Sequence, residues 1–233
     1  MSSYTKLFHE LETNFESTKL GDDKWYICAT SAIVAGPDPE SVAELYTYLV
    51  SQQRYSTSEA RQALIRRIRE ALVKAISVVG VCKPMEAILA ISKIERDEDK
   101  DFSCSREEWH NDKANHERGV GHLQRLYQRN IGPTLDMFRA HRDFQLITTD
   151  ITYGLYLSDR GILDDVETSL VTLPCIMMQN LPTETHWHIR GIRRVGVSKE
   201  DTQMIWDCIQ MVADFLGVKL TKVPTVESVE SDV

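Results

Sequence analysis

Strand signals are scarce in this sequence: no clean run of alternating apolar and polar residues is bounded by turn dipeptides. That argues against a sheet-based fold. A C-x-x-C pair is also lacking. The five cysteines, Cys28, Cys82, Cys104, Cys175 and Cys208, are odd in number and scattered, with no zinc-type spacing. A reduced compartment is the simplest reading, so a cytoplasmic protein is expected. The first residues, MSSYTKLFHELETNF, contain no apolar stretch of the secretory kind. No apolar run reaches the length of a membrane span, and the longest weakly polar stretches are broken by Lys74, Lys83 and Gln179. Positive charge is in short supply as well. Lys and Arg number 27 against 35 Asp and Glu, a net charge of −8, which excludes an extended basic surface for nucleic acid. The one basic run, Arg61, Arg66, Arg67 and Arg69, is mixed with apolar positions and is expected on the solvated side of a helix.

What is present is helical periodicity in an ordinary globular composition, 42% hydrophobic and 27% charged over 233 residues. Asp38 as a cap and Pro39 at a first helical position predict a helix over 39–53, with Val42, Leu45, Tyr46 and Leu49 on one face. A second helix over 59–79 follows Ser58, its stripe being Leu64, Ile65, Ile68, Leu72, Ile76 and Val79. SREE (105–108) and DDVE (164–167) both read as capping boxes, and SKED (198–201) as a close variant. After the last of these, Ile205, Cys208, Val212 and Phe215 form an apolar face that Gly217 ends. Pro84, Pro133 and Pro182 suit first turns. The acidic TVESVESDV at the end is expected to be disordered.

A weak internal repeat links the two halves, about 22–95 and 130–217. GVCKPMEAILAI (80–91) overlays QNLPTETHWHI (179–189), with Pro84 on Pro182, Glu86 on Glu184, Ile91 on Ile189 and Ala90 where the second copy has His188. Glu70 and Glu167 occupy similar places upstream, and LYTYLVS (45–51) resembles YGLYLS (153–158). The expected architecture is a single all-α domain over 1–217, followed by an acidic tail over 218–233.

The segment from Glu167 to about Leu216 resembles the carboxymuconolactone decarboxylase and alkyl hydroperoxidase D-like (AhpD-like) group. Its most family-like piece is the turn RRVGVSKED, and RRIREALVKAISVVGVCKP shows a similar pattern in the first half. The resemblance touches about half of the chain. It implies an AhpD-like bundle of antiparallel helical hairpins, assembled as a homo-oligomer, a trimer or a multiple of one. By position the two cysteines of the peroxidase branch fall on Leu181 and Glu184, so its disulfide exchange cannot run here. The decarboxylase branch carries a glutamate at the second of these positions, as this chain does. The acidic residue heading the preceding helix in that family maps to Glu167.

Physically, a helix opened by Pro182 places Glu184 and His188 one turn apart on one face. A carboxylate beside an imidazole fixes a tautomer and raises its basicity, which suits proton transfer near neutral pH. His186 and Arg190 share a different face, and two histidines two apart cannot both ligate one metal, so no metal is expected. The structural alternative is a plain helix pair worth a few tenths of a kcal/mol. Gly191 would let a helix or ligand come close. His186, Trp187, Tyr153, Glu167 and His116 complete the candidate site as substrate-binding residues, Trp187 serving equally well as core. His116, Arg118 and His122 also read as a solvated helix face. Glu70 and Arg66 read as a buried pair, and Cys175 as an inert buried thiol. The reading is a cofactor-independent enzyme acting on a carboxylate, lactone or enolisable carbonyl compound. Alternatives are a redox protein using a lone cysteine and a non-catalytic oligomeric scaffold, and neither a nucleic acid nor a membrane is expected as a partner.

Overall fold

WYICATSAIVA has no polar face, so a helix formed from it must be covered on all sides. In the computed structural model, which describes residues 3–233, this segment is helix α2 (Trp25–Ala35), preceded by α1 (Ser3–Glu16). Every residue of α2 is buried. The helices α3 (Val42–Val50), α4 (Ser58–Val79) and α5 (Cys82–Ser92) follow, and then, after a long loop, α6 (Lys113–Tyr127), α7 (Ile131–Asp136) and α8 (Arg142–Leu146). A π-helix (Ile147–Leu157) leads to α9 (Asp165–Met177), α10 (Pro182–Arg194), α11 (Lys199–Phe215) and the short α12 (Val226–Val229). The fold is all-α, with no strand among the described residues. Helix α9, buried from Glu167 to Met177, packs along α2, and α4 packs on both. The main hydrophobic core surrounds this pair, and a smaller cluster of Leu123, Leu126, Tyr127, Tyr153 and Leu157 joins α6 to the π-helix.

Local signals hold where the required partner is close in sequence. Asp164 and Glu167 form the reciprocal capping box of α9. Ser198 accepts the Asp201 N–H at 3.0 Å at the head of α11. Gly217 adopts φ +70°, which lets the Val218 N–H reach the Ala213 carbonyl at 2.8 Å and end that helix. Two cap expectations fail. Asp38 makes no side-chain cap bond, and the helix expected over 39–53 is a short 3₁₀ turn (Pro39–Ser41) followed by α3. Residues 105–108 form turns rather than a helix, because Arg106 is drawn inward to Glu70 at 2.6 and 2.7 Å. Helix α4 begins at Ser58 and is capped by Thr57, which accepts the Ala60 N–H at 3.2 Å.

The arginines of α4 do not face solvent. Arg61 is buried and grips Asp99 with two hydrogen bonds, at 2.6 and 2.9 Å. Arg66 and Arg69 both hold Asp101, at 2.5 and 2.7 Å, and Arg67 holds Glu167 at 2.6 Å. Arg61, Arg66 and Arg69 anchor the acidic loop after α5, and Arg67 ties α4 to α9. The expected pair of Glu70 with Arg66 is not formed. Glu70 instead faces Arg106 and Lys74, and Lys74 is fully buried and donates to the carbonyls of Leu157 and Asp159 at 3.0 and 2.7 Å. Burial pushes the Lys74 ammonium down to about 8.

The chain end is also ordered, against expectation. Val226 and Val229 are fully buried in the main core. Glu230 pairs with Arg193 at 2.7 Å, and Asp232 pairs with Arg190 and His186. The acidic residues that were expected to leave the tail disordered therefore find two arginines, Arg190 and Arg193, on α10, with His186 beside Asp232.

Candidate functional site

Helix α10 packs on α9 and on α6, α6 packs on the π-helix, and a cavity of about 400 Å³ is lined by all four. Helix α10 begins with Pro182 at its first position, and its wide apolar-to-polar division turns Glu184, Trp187 and His188 toward this cavity. Helix α9 supplies Thr172 and Ile176, α6 supplies Leu123 and Tyr127, and the π-helix supplies Thr148, Thr152, Tyr153 and Leu157. The segment through α7 and α8 closes the remaining side with Leu135 and the stacked pair Phe138 and Phe144, whose ring centroids lie 6.3 Å apart.

His188 is half-buried, with Nδ1 3.1 Å from the Thr172 hydroxyl oxygen. Nε2 has no hydrogen-bond partner among the described residues. Burial pushes the imidazole down to about 4, so the ring is neutral at physiological pH. This corrects the expectation of a carboxylate-raised basicity. Glu184 lines the cavity at its exposed rim, and no hydrogen bond or ion pair joins it to His188 among the described residues. The two side chains share a face and a cavity with no hydrogen bond or ion pair between them among the described residues.

The other candidates divide. Tyr153 is buried and lines the cavity, its hydroxyl 3.4 Å from that of Tyr127, and burial raises its pKa well above the usual tyrosine value. Trp187 meets Tyr127 edge-on at 6.2 Å between centroids. His186 faces away from the cavity, to Asp232 at 3.0 Å. Glu167 is buried at the head of α9, bound to Arg67 and Lys24. Burial there is outweighed by the Asp164 N–H and the Arg67 guanidinium, which hold its carboxyl below the ordinary range. His116 is exposed and lies 3.0 Å from Asp150. His122 is buried behind the cavity with its ring centroid 5.6 Å from that of Tyr153, rather than on a solvated face, and burial lowers its pKa. Arg118 lies over the Trp109 ring at 4.2 Å. Helix α6 covers Gly191, where a β-carbon would sit 3.5 Å from Leu126 in ordinary contact. The Cys175 thiol is buried, donates to the Ser31 carbonyl at 3.4 Å and is pushed up by burial.

Thr172, Thr148, Thr152 and Tyr127 line the cavity but were not singled out from sequence. None stands in a motif that marks it in the sequence, and only the packing of separate helices brings them together. Among the described residues no group of three or more His, Cys, Asp or Glu side chains could hold a metal ion. None of the described helices is long and apolar enough to cross a membrane.

The fold and the site define an all-α protein with an apolar, hydroxyl-dotted cavity around a neutral histidine. No family model, curated protein or solved structure matches the chain.

Proposed function

We propose that the chain is a small-molecule enzyme that uses His188 as a proton acceptor within the cavity between α9, α10, α6 and the π-helix. The observation that carries this reading is the imidazole itself: neutral, held at Nδ1 by Thr172 and unpartnered at Nε2 on a side chain that lines a ligand-sized space. A ring with so low a pKa is a weak base. It suits substrates with an acidified C–H, such as enolisable ketones and lactones, and steps of isomerisation, dehydration, decarboxylation or lactone opening. The resemblance to the carboxymuconolactone decarboxylase group supports the same assignment, with Glu184 at the rim as the assisting carboxylate. The homo-oligomer that the resemblance implies is supported by Met85 and Leu89 on α5 and Val81 just before it, about half exposed and four residues apart. Buried Cys28, Cys175 and Cys208 have thiols pushed up by burial, which does not favour thiolate chemistry at those positions.

The test is hydrogen–deuterium exchange at the α-carbon of enolisable ketones and lactones, 2-tetralone first, followed by NMR in D₂O. The wild-type protein should accelerate exchange at least tenfold over His188→Gln. Equal rates with the two proteins would remove the acid/base reading. Ligand-dependent shifts persisting in both would then mark a binding protein without catalysis.

A further inference from the structure

The cavity has a charge pattern that narrows its ligand, and this inference rests on the proposed function. Among its described lining residues there is no lysine or arginine. The one lining carboxylate, Glu184, stands at the exposed rim. The other polar lining groups are all uncharged, among them the hydroxyls of Thr148, Thr152, Thr172 and Tyr153, the Gln179 amide and the imidazole of His188, whose pKa is lowered by burial alone, with no neighbouring charge contributing.

Cations do lie close behind the walls, but each is engaged elsewhere. Lys74 sits behind Leu157 with its ammonium on two carbonyls and Glu70. Arg190 is held by Asp232. Arg194 donates to the Tyr127 carbonyl at 2.6 Å and to Asn130 at 2.7 Å. A carboxylate or phosphate entering this space would lose its hydration and gain no counter-charge, an arrangement that buried sites avoid. An uncharged molecule with carbonyl or hydroxyl groups would meet aromatic and aliphatic walls and find donors and acceptors in the threonine and tyrosine hydroxyls.

We infer that the natural ligand of this cavity is uncharged: a largely apolar, drug-sized ketone, lactone or phenol whose oxygens are read by Thr148, Thr152, Tyr153 and His188, and not a carboxylate or phosphate. Of the substrate classes the sequence left open, the free carboxylate is the one this site disfavours, and decarboxylation drops out of the proposed steps with it.

The test compares three probes of one ring system on the full chain at pH 7.5: methyl 2-naphthoate, 2-naphthoate and 2-naphthylmethylammonium. Affinities are measured by calorimetry, and the ¹⁵N signals of the His188 ring show whether each probe sits in the cavity. The neutral ester should shift His188 and bind at least 30-fold more tightly than either ion. If the carboxylate or the ammonium shifts His188 and binds as tightly as the ester, the neutral-ligand inference is wrong while the cavity reading stands. If none of the three perturbs His188, the cavity reading fails and the inference falls with it.

Discussion

Acid should destabilise this protein through His188 in a calculable way. The ring's pKa falls from an ordinary 6.5 in the unfolded chain to about 4 in the fold, with burial as the cause. Between those values the unfolded chain binds a proton that the folded one refuses, so stability falls with falling pH. The contribution is fully present above pH 6.5, is lost as the pH drops toward 4, and changes no further below that. The whole effect is about 3 kcal/mol, and at pH 5 about 2 kcal/mol is already gone. Other groups add to the acid response, among them His122, which burial shifts in the same direction. The change His188→Gln isolates one of them, because glutamine does not titrate and can still hydrogen-bond Thr172. Urea denaturation of both proteins at pH 7.5 and pH 5 gives four stabilities. On going to pH 5 the wild-type protein should lose about 2 kcal/mol more than the variant. Equal losses, or a ring that titrates near 6.5 by NMR, would refute the placement of His188 in an apolar wall.

Gly119→Ala should cost about 3 kcal/mol or more in denaturant melts, since its β-carbon would fall 2.1 Å from the Thr149 carbonyl oxygen, while Gly121→Ala, whose β-carbon would meet the Arg125 side chain at an ordinary 3.8 Å, should be neutral or stabilising. Deleting residues 224–233 should lower stability by about 4 kcal/mol, from the exposure of what Val226 and Val229 cover, and an unchanged melting temperature would contradict the docked tail. Titration of the native protein with a thiol reagent should modify Cys82 and Cys104 quickly and the other three cysteines only on unfolding, and rapid modification of Cys175 would reopen thiol chemistry.

The helices α4, α10 and α11 were legible in the sequence because their signals are local: a cap, a stripe and a stop within one segment. The basic run on α4 was misread because its partners, Asp99 and Asp101, lie 32 to 38 positions away, and sequence spacing carries no sign of that pairing. The tail was misread for the same reason. Its acidic composition read as disorder because nothing in the sequence places Arg190 and Arg193 opposite it. Glu184 and His188 were legible as a shared face because four residues make one helical turn. Their lack of a hydrogen bond, and the desolvation that controls the ring, depend on Thr172 and on walls contributed by three other elements.

The π-helix shows why the cavity itself escaped a reading based on helical periodicity. In an α-helix the face repeats every 3.6 residues. Bonding from residue i to i+5, as in the Ser158 N–H to the Tyr153 carbonyl at 2.9 Å, widens the turn. The residues that line the cavity from this element are Thr148, the adjacent pair Thr152 and Tyr153, and Leu157, so the lining recurs every four to five residues. At α-helical spacing Leu157 would turn away from Thr148, and the hydroxyl-bearing wall would be broken. The wider turn is held in place by α6, where Gly119 lets the π-helix backbone come close and the Asn115 side chain donates to the Asp150 carbonyl at 2.7 Å. Gly154 accommodates the same side chain, since a β-carbon there would lie 2.5 Å from the Asn115 amide nitrogen. Two glycines and an asparagine, none of which carries a helical signal, therefore set the backbone geometry that gives the site its polar wall.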